Sequence, residues 1–335
     1  VSQDGSSPSL LNDTAKCFSR LWKGRPKAIR LDTAQDSLKF HTEPASSELE
    51  ERVVTLWKSF RSSHRFHTAR SAAGMETAYR SESANVYHCC VHKTGSQWIR
   101  SILSDPQVYK YSGLKGYHYQ SGLAGGSDSR DVSHRTFTEP FPTATVVTPL
   151  YIFFDSFRAL PKPEHYKSFF VMRDPRDIVV SWYFSVRYSH TVLANVSKLR
   201  TTLEDMSPRD GILFAMDHLN RSGHFQLLDS WVDAPRTDPN VLLLRFEDLI
   251  GPASQEVFES LFTHCDIRMP RKPLSVLLAK YSFRALAGRR PGQEDVNHHY
   301  RKGIPGDWRN HLDHALETRF TDITGNLLTR LGYAE

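Results

Sequence analysis

Asn85 to Leu103 reads NVYHCCVHKTGSQWIRSIL. The opening NVYHCCV (Asn85 to Val91) is a short, apolar-rich run, the pattern of a strand buried on both faces. HKTG then reads as a turn, and SQWIRSIL (Ser96 to Leu103) as a helix. The same strand–turn–helix pattern returns in KSFFVMRDPRDIVVSWYFSV, from Lys167 to Val186. Further strands are expected in TATVVTPLYIFF (Thr143 to Phe154) and in NVLLLRF (Asn240 to Phe246). Short apolar strands alternating with helices predict an α/β fold, a three-layer parallel sheet flanked by helices. In such sheets ligands collect at the strand ends, so the turns carry the functional question.

Upstream, residues 1 to about 45 are polar and weakly patterned. SELEERVVTLWKSF (Ser47 to Phe60) places Leu49, Val53, Leu56, Trp57 and Phe60 at helical spacing, with Ser47 and Glu50 as a cap. The expected organisation is an N-terminal extension, 1–84, with one helix packed on the core, and a main domain, 85–335.

Composition narrows the classes. Of 335 residues, 39% are hydrophobic and 24% charged, which fits a globular enzyme rather than a disordered chain. The net charge is +6, which suits an anionic ligand; with no Lys/Arg run, nucleic acid is not expected. Adjacent Cys89 and Cys90 would face opposite sides of a strand, and there is no CxxC, so a reducing, cytoplasmic setting is expected. No stretch has the ~18 apolar residues of a membrane span. The chain opens Val-Ser-Gln without Met, and a truncated or processed start is suspected. The 16 histidines are scattered, so no metal site is expected.

The HKTGSQW turn has the parts of an anion cradle. Gly95 allows close backbone approach, the helix N-terminus offers N–H groups, and Lys93 adds a point charge. It is not the nucleotide loop GxxxxGK[ST], because its Lys precedes the Gly and no second Gly lies five residues earlier. At the second turn, Arg173 can offer a bidentate fork to a phosphate, or pair with Asp174 or Asp177. Ser181 lies about two helical turns further on. Late in the chain, RKGIPGDW (Arg301 to Trp308) sets two cations beside a glycine.

Together these stretches resemble the PAPS-dependent sulfotransferases, which use 3′-phosphoadenosine 5′-phosphosulfate. HKTGSQW resembles the family's PKSGTTW phosphosulfate loop, RDPRDIVVS its 3′-phosphate segment, and RKGIPGDW its RKGxxGDW motif. LLLRFEDL resembles its YEDL strand end, with Phe246 in place of Tyr. The order agrees from about residue 85 to the C-terminus. The resemblance implies a P-loop nucleotide-kinase-like sulfotransferase fold, PAPS as co-substrate, 3′-phosphoadenosine 5′-phosphate (PAP) as product, and no metal. It assigns Lys93, Thr94, Gly95, Ser96, Gln97 and Trp98 to the phosphosulfate and adenine, with Lys93 also catalytic. It assigns Arg173, Ser181, Arg301, Lys302 and Gly303 to the 3′-phosphate, and Phe246, Ser282 and Phe283 to the rest of the nucleotide site. The implied reaction is sulfuryl transfer to a hydroxyl or amine of a small-molecule acceptor. A carbohydrate or protein sulfotransferase of a secretory compartment and a non-catalytic nucleotide binder remain alternatives.

The chain also departs from the family. Cytosolic members carry a catalytic His in Lys-Thr-His-Leu-Pro; the corresponding VVTPLYIFFDSF has none. Asp155, His118 and His190 are the replacement bases considered. The dimer motif is degraded in RNHLDHALE (Arg309 to Glu317), which leaves the oligomeric state open. Acceptor loops are expected at 113–139, 188–210 and 285–300. The stretch from Leu286 to Lys302, poor in apolar side chains, is expected to be a mobile lid whose Arg301 and Lys302 stay solvated until a nucleotide arrives.

Overall fold

The structure, a computed structural model, describes residues 76–333 except 124–127, 129 and 191–193. The helix expected at 47–60 lies outside the described residues, as does Cys17. Asn85–Cys90 forms strand β1, buried at every residue. It lies at the centre of a five-stranded parallel sheet in the order β2-β3-β1-β4-β5. The other strands are β2 (Lys115–Tyr117), β3 (Thr145–Leu150), β4 (Tyr166–Met172) and β5 (Val241–Arg245). A strand with no exposed side chain on either face needs cover on both, so the runs in β1 and β3 are continuous rather than alternating.

Two details differ from the sequence reading. β2 was not anticipated: KGY is three residues at a sheet edge, too short and too exposed to leave an apolar run. In the stretch 143–154, only Thr145–Leu150 is strand. The chain leaves the sheet at Tyr151, and helix α2 (Phe154–Ala159) follows.

Helix α1 (Ser96–Leu103) has the bounds expected, and buries Ile99, Ile102 and Leu103 at i, i+3 and i+4. Helix α3 (Pro175–Phe184) starts where Asp174 caps Arg176 N–H and Pro175 takes the first turn. It continues as a π-helical turn over Ser185–Ser189. Helices α4 (Pro208–Arg221) and α5 (His224–Ser230) are separated by Ser222 and Gly223. Trp231 locks this layer to the sheet: its Nε1–H donates to Ile152 C=O at 2.9 Å and its ring stacks on Phe170. Helix α6 (Phe246–Ile250) follows β5 directly, and α7 (Arg271–Lys280) and α8 (Phe283–Ala287) lead to the late motif. Before β1, Tyr79 O–H and Glu82 N–H both donate to Asp266, stitching residues 79–82 to the same unit. Cys89, Cys90 and Cys265 are buried, free thiols.

Candidate active site

Between β1 and α1 the backbone turns left-handed twice, at Lys93 (φ 73°) and Gly95 (φ 76°). At Gly95 only a glycine fits: a Cβ would lie 2.7 Å from Cε2 of Phe246. Thr94 closes the turn, its hydroxyl donating to Val91 C=O at 2.8 Å. Gly95 caps α1 without a side-chain hydrogen bond, which leaves the first N–H groups of the helix for an anion. Ser96 and Gln97 are both held by the Tyr151 hydroxyl, at 2.8 and 3.3 Å. Trp98 is a brace, with Nε1–H on Tyr281 C=O and its ring edge-on to Phe246 and Phe258. Phe246 thus lies under the turn, against Gly95, Trp98 and the Arg173 guanidinium.

Arg173 stands at the end of β4. Its Nη1–H donates to the Lys93 carbonyl at 2.9 Å, and Nη2 lies 3.4 Å from Asp177. Of the carboxylates considered for Arg173, the structure pairs it with Asp177. Its Nε is buried with no hydrogen-bond partner. Lys93 has no ion pair among the described residues. Its pKa is lowered to about 8, first by desolvation and then by the charges of Arg173 and Arg301. A cation so placed favours an incoming anion.

The late motif reaches the same place. Arg301 and Lys302 both pair with buried Asp307, each at 2.5 Å, and Arg301 also pairs with Glu294. The Arg301 guanidinium lies over Phe184. The Asp307 carboxyl, despite burial, is held below its usual range by His311, Lys302, Asn310 and Arg301. Asp177 on α3 accepts Gly306 N–H and Trp308 N–H, at 2.8 and 2.9 Å. Ser181 is one turn further along that stripe of α3, between Asp177 and Phe184. Gly303 (φ 68°) presses on Phe283, where a Cβ would lie 2.3 Å from the ring. Ser282 caps α8 through Ala285 N–H. The sequence reading is corrected here: Arg301 and Lys302 are mostly buried and already paired, not solvated. The expected lid is likewise folded. Arg289 donates to the carbonyls of Tyr300 and Arg301, and Gly292 N–H to that of Lys302.

The three candidate bases fall in different places. Asp155 is in the first turn of α2, almost wholly exposed and paired loosely with Arg158. His118 hydrogen-bonds Ser121 and lies beside Arg100. His190 comes near the cradle: burial chiefly lowers the pKa of His92 and His299, and both Lys93 and His190 contribute to each.

Several residues of the site escaped the sequence reading. Asp307 sits inside RKGIPGDW, where the adjacent cations carry the more visible signal. Tyr151 and His224 carry no local signal, because they reach the turn from 55 and 132 residues away. A network behind Arg173 was also missed. Glu247 accepts Asp174 N–H at 3.0 Å and the Tyr333 O–H at 2.7 Å, while Arg176 donates to Tyr333 C=O.

Among the described residues there is no His/Cys/Asp/Glu group able to hold a metal ion, and no helix long and apolar enough to cross a membrane. No curated protein matches the sequence. Among solved structures, mouse sulfotransferase SULT7A1 complexed with PAP superposes with a TM-score of 0.53 at 15% identity, covering 75% of this chain and 86% of that one. That likeness shows a shared fold. Retinol dehydratase in a complex with retinol and PAP gives 0.49 at 15% identity, covering 75% and 82%. Residues 86–332 match the family profile described as the sulfotransferase domain, and the chain belongs to that family.

Proposed function

We propose that the protein transfers a sulfuryl group from PAPS to a hydroxyl or amine of a small-molecule acceptor, with residues 85–335 as the transferase domain and 1–84 as an extension. The observation that carries this is the Lys93–Ser96 turn. It joins a cation without a counter-ion among the described residues, the free N–H groups of α1 and the Arg173 guanidinium at one point. The nucleotide's phosphates fit there: the buried Arg173 Nε lacks a partner, and Gly95 leaves no side chain between the backbone and an anion. PAPS supplies a sulfur centre whose leaving group is a phosphate. Lys93, Ser96 and the backbone amides would hold the charge that grows on that leaving oxygen. Arg173, Arg301, Lys302 and Ser181 would hold the 3′-phosphate and fix the donor's orientation. The buried free thiols support a reducing, cytoplasmic setting over a secretory one.

The test is calorimetry with PAP followed by turnover of labelled PAPS against a panel of phenols, alcohols and amines. Binding with turnover is expected. Binding without any sulfated product would instead support a nucleotide binder, and no binding would end the reading.

A further inference from the structure

The motif that supplies a base elsewhere in the family lacks its histidine here, yet a histidine stands beside Lys93. His92 stacks on Tyr151, ring centroids 4.0 Å apart, and its Nδ1 is 3.0 Å from Nε2 of His224. Nδ1 of His224 is 2.8 Å from the Ser222 hydroxyl, which itself donates to His218 C=O at 2.8 Å. That last bond orients the whole chain. Ser222 gives its only proton to the carbonyl, so it accepts from His224 Nδ1–H. His224 Nε2 is then a lone pair and accepts from His92 Nδ1–H. His92 Nε2 is left as a lone pair, with no hydrogen bond among the described residues. Burial lowers the pKa of both rings, so both are neutral at physiological pH and the lone pair is available.

We infer that His92 is the proton-accepting residue of sulfuryl transfer, with His224 and Ser222 as positioning residues that fix its tautomer. The inference rests on the transferase reading above. In the step, the acceptor's O–H or N–H proton passes to His92 Nε2 as the acceptor atom bonds to sulfur. The bond from sulfur to the nucleotide's bridging oxygen breaks, and its electron pair stays on the departing phosphate. The proton then leaves to solvent. Lys93, the next residue, is the one proposed above to hold the leaving phosphate of the same exchange. Burial is the largest influence on His92, the charges of Arg135 and Lys93 add to it, and the nucleotide's negative charges would offset those cations as the imidazolium forms.

The experiment has two arms. Histidine ¹⁵N NMR of the wild-type protein should show His92 and His224 as Nδ1–H tautomers, and His224 in that form in Ser222-intact protein only. An Nε2–H tautomer at His92 overturns the inference without touching the transferase reading. In the second arm, His92→Gln should keep PAP binding and lose kcat by ~10²-fold or more. The loss should shrink from alcohols to acidic phenols such as 4-nitrophenol, which need less help in losing a proton. Full kcat with alcohols in His92→Gln overturns the inference. Wild-type protein that does not bind PAP overturns the transferase reading itself, and this inference with it. The NMR arm uses the intact protein, so it stands whether or not the variant folds.

Discussion

The two turns assigned to the nucleotide share a construction and differ in charge. Each has a left-handed glycine pressed against an aromatic ring, Gly95 on Phe246 and Gly303 on Phe283. At the first turn, Lys93 has no carboxylate partner among the described residues, and burial makes its charge costly. At the second, Arg301 and Lys302 already share Asp307. An anion arriving at the first turn meets a need; at the second it joins a network that is satisfied without it. In the proposed function the first turn would handle the transition-state charge, and the second would be a prebuilt wall that sets position. Asp307 lets the wall exist before the ligand does, because two adjacent cations otherwise repel.

The largest effect expected from this contrast is at Lys93. Lys93→Ala should lower transfer by roughly 10²–10³-fold, the usual cost of removing a donor to developing charge, and leave thermal unfolding almost unchanged. Near wild-type turnover in the folded variant would break the distinction between the turns. Next come Arg173→Ala and Arg301→Ala. Each should weaken PAP by about tenfold or more, given ~1.5–3 kcal/mol per charge-assisted contact, and adenosine 5′-monophosphate far less. Calorimetry showing equal losses for both nucleotides would remove the 3′-phosphate from this wall.

Proton linkage separates the turns in a third way. Lys93 titrates near pH 8 in the free protein and regains its charge beside an anion. Below pH 8 the ammonium is ready; above it, binding must take up a proton. PAP affinity should therefore fall as pH rises through about 8, by up to about tenfold between pH 7 and pH 9. Asp307, held ionised far below neutrality, adds no slope in that window. A flat profile, or one that survives Lys93→Ala, would contradict the assignment. The smallest effect belongs to the segment 286–302. Its internal hydrogen bonds exist without ligand, so PAP should change its hydrogen exchange only slightly. A large gain in protection would restore the closing lid that its composition suggested.

What the sequence made legible was whatever is local. β1, its turn and α1 are one continuous stretch whose apolar spacing and glycine state their own structure. The opposite holds for Tyr151, His224 and Glu247. Their roles arise where distant segments meet at the carboxyl ends of the strands, and even the LLLRFEDL motif around Glu247 does not name its partner Tyr333. The lid was misjudged for a related reason. Few apolar side chains suggested little to hold it, but one arginine, Arg289, supplies bonds to three carbonyls, those of Gln293, Tyr300 and Arg301. Charged groups can order a loop through backbone acceptors, which composition does not reveal.

The link from Tyr333 through Glu247 to the Arg173–Asp174 turn has a consequence for how the protein is made. The candidate cradle begins near residue 93, yet one of its braces is not translated until 240 residues later. Until Tyr333 has left the ribosome, one Glu247 oxygen lacks its partner, and the turn that aims Arg173 lacks a support. A nascent chain therefore presents a formed sheet and an unfinished site. Nucleotide affinity should depend on the segment that carries Tyr333 having docked.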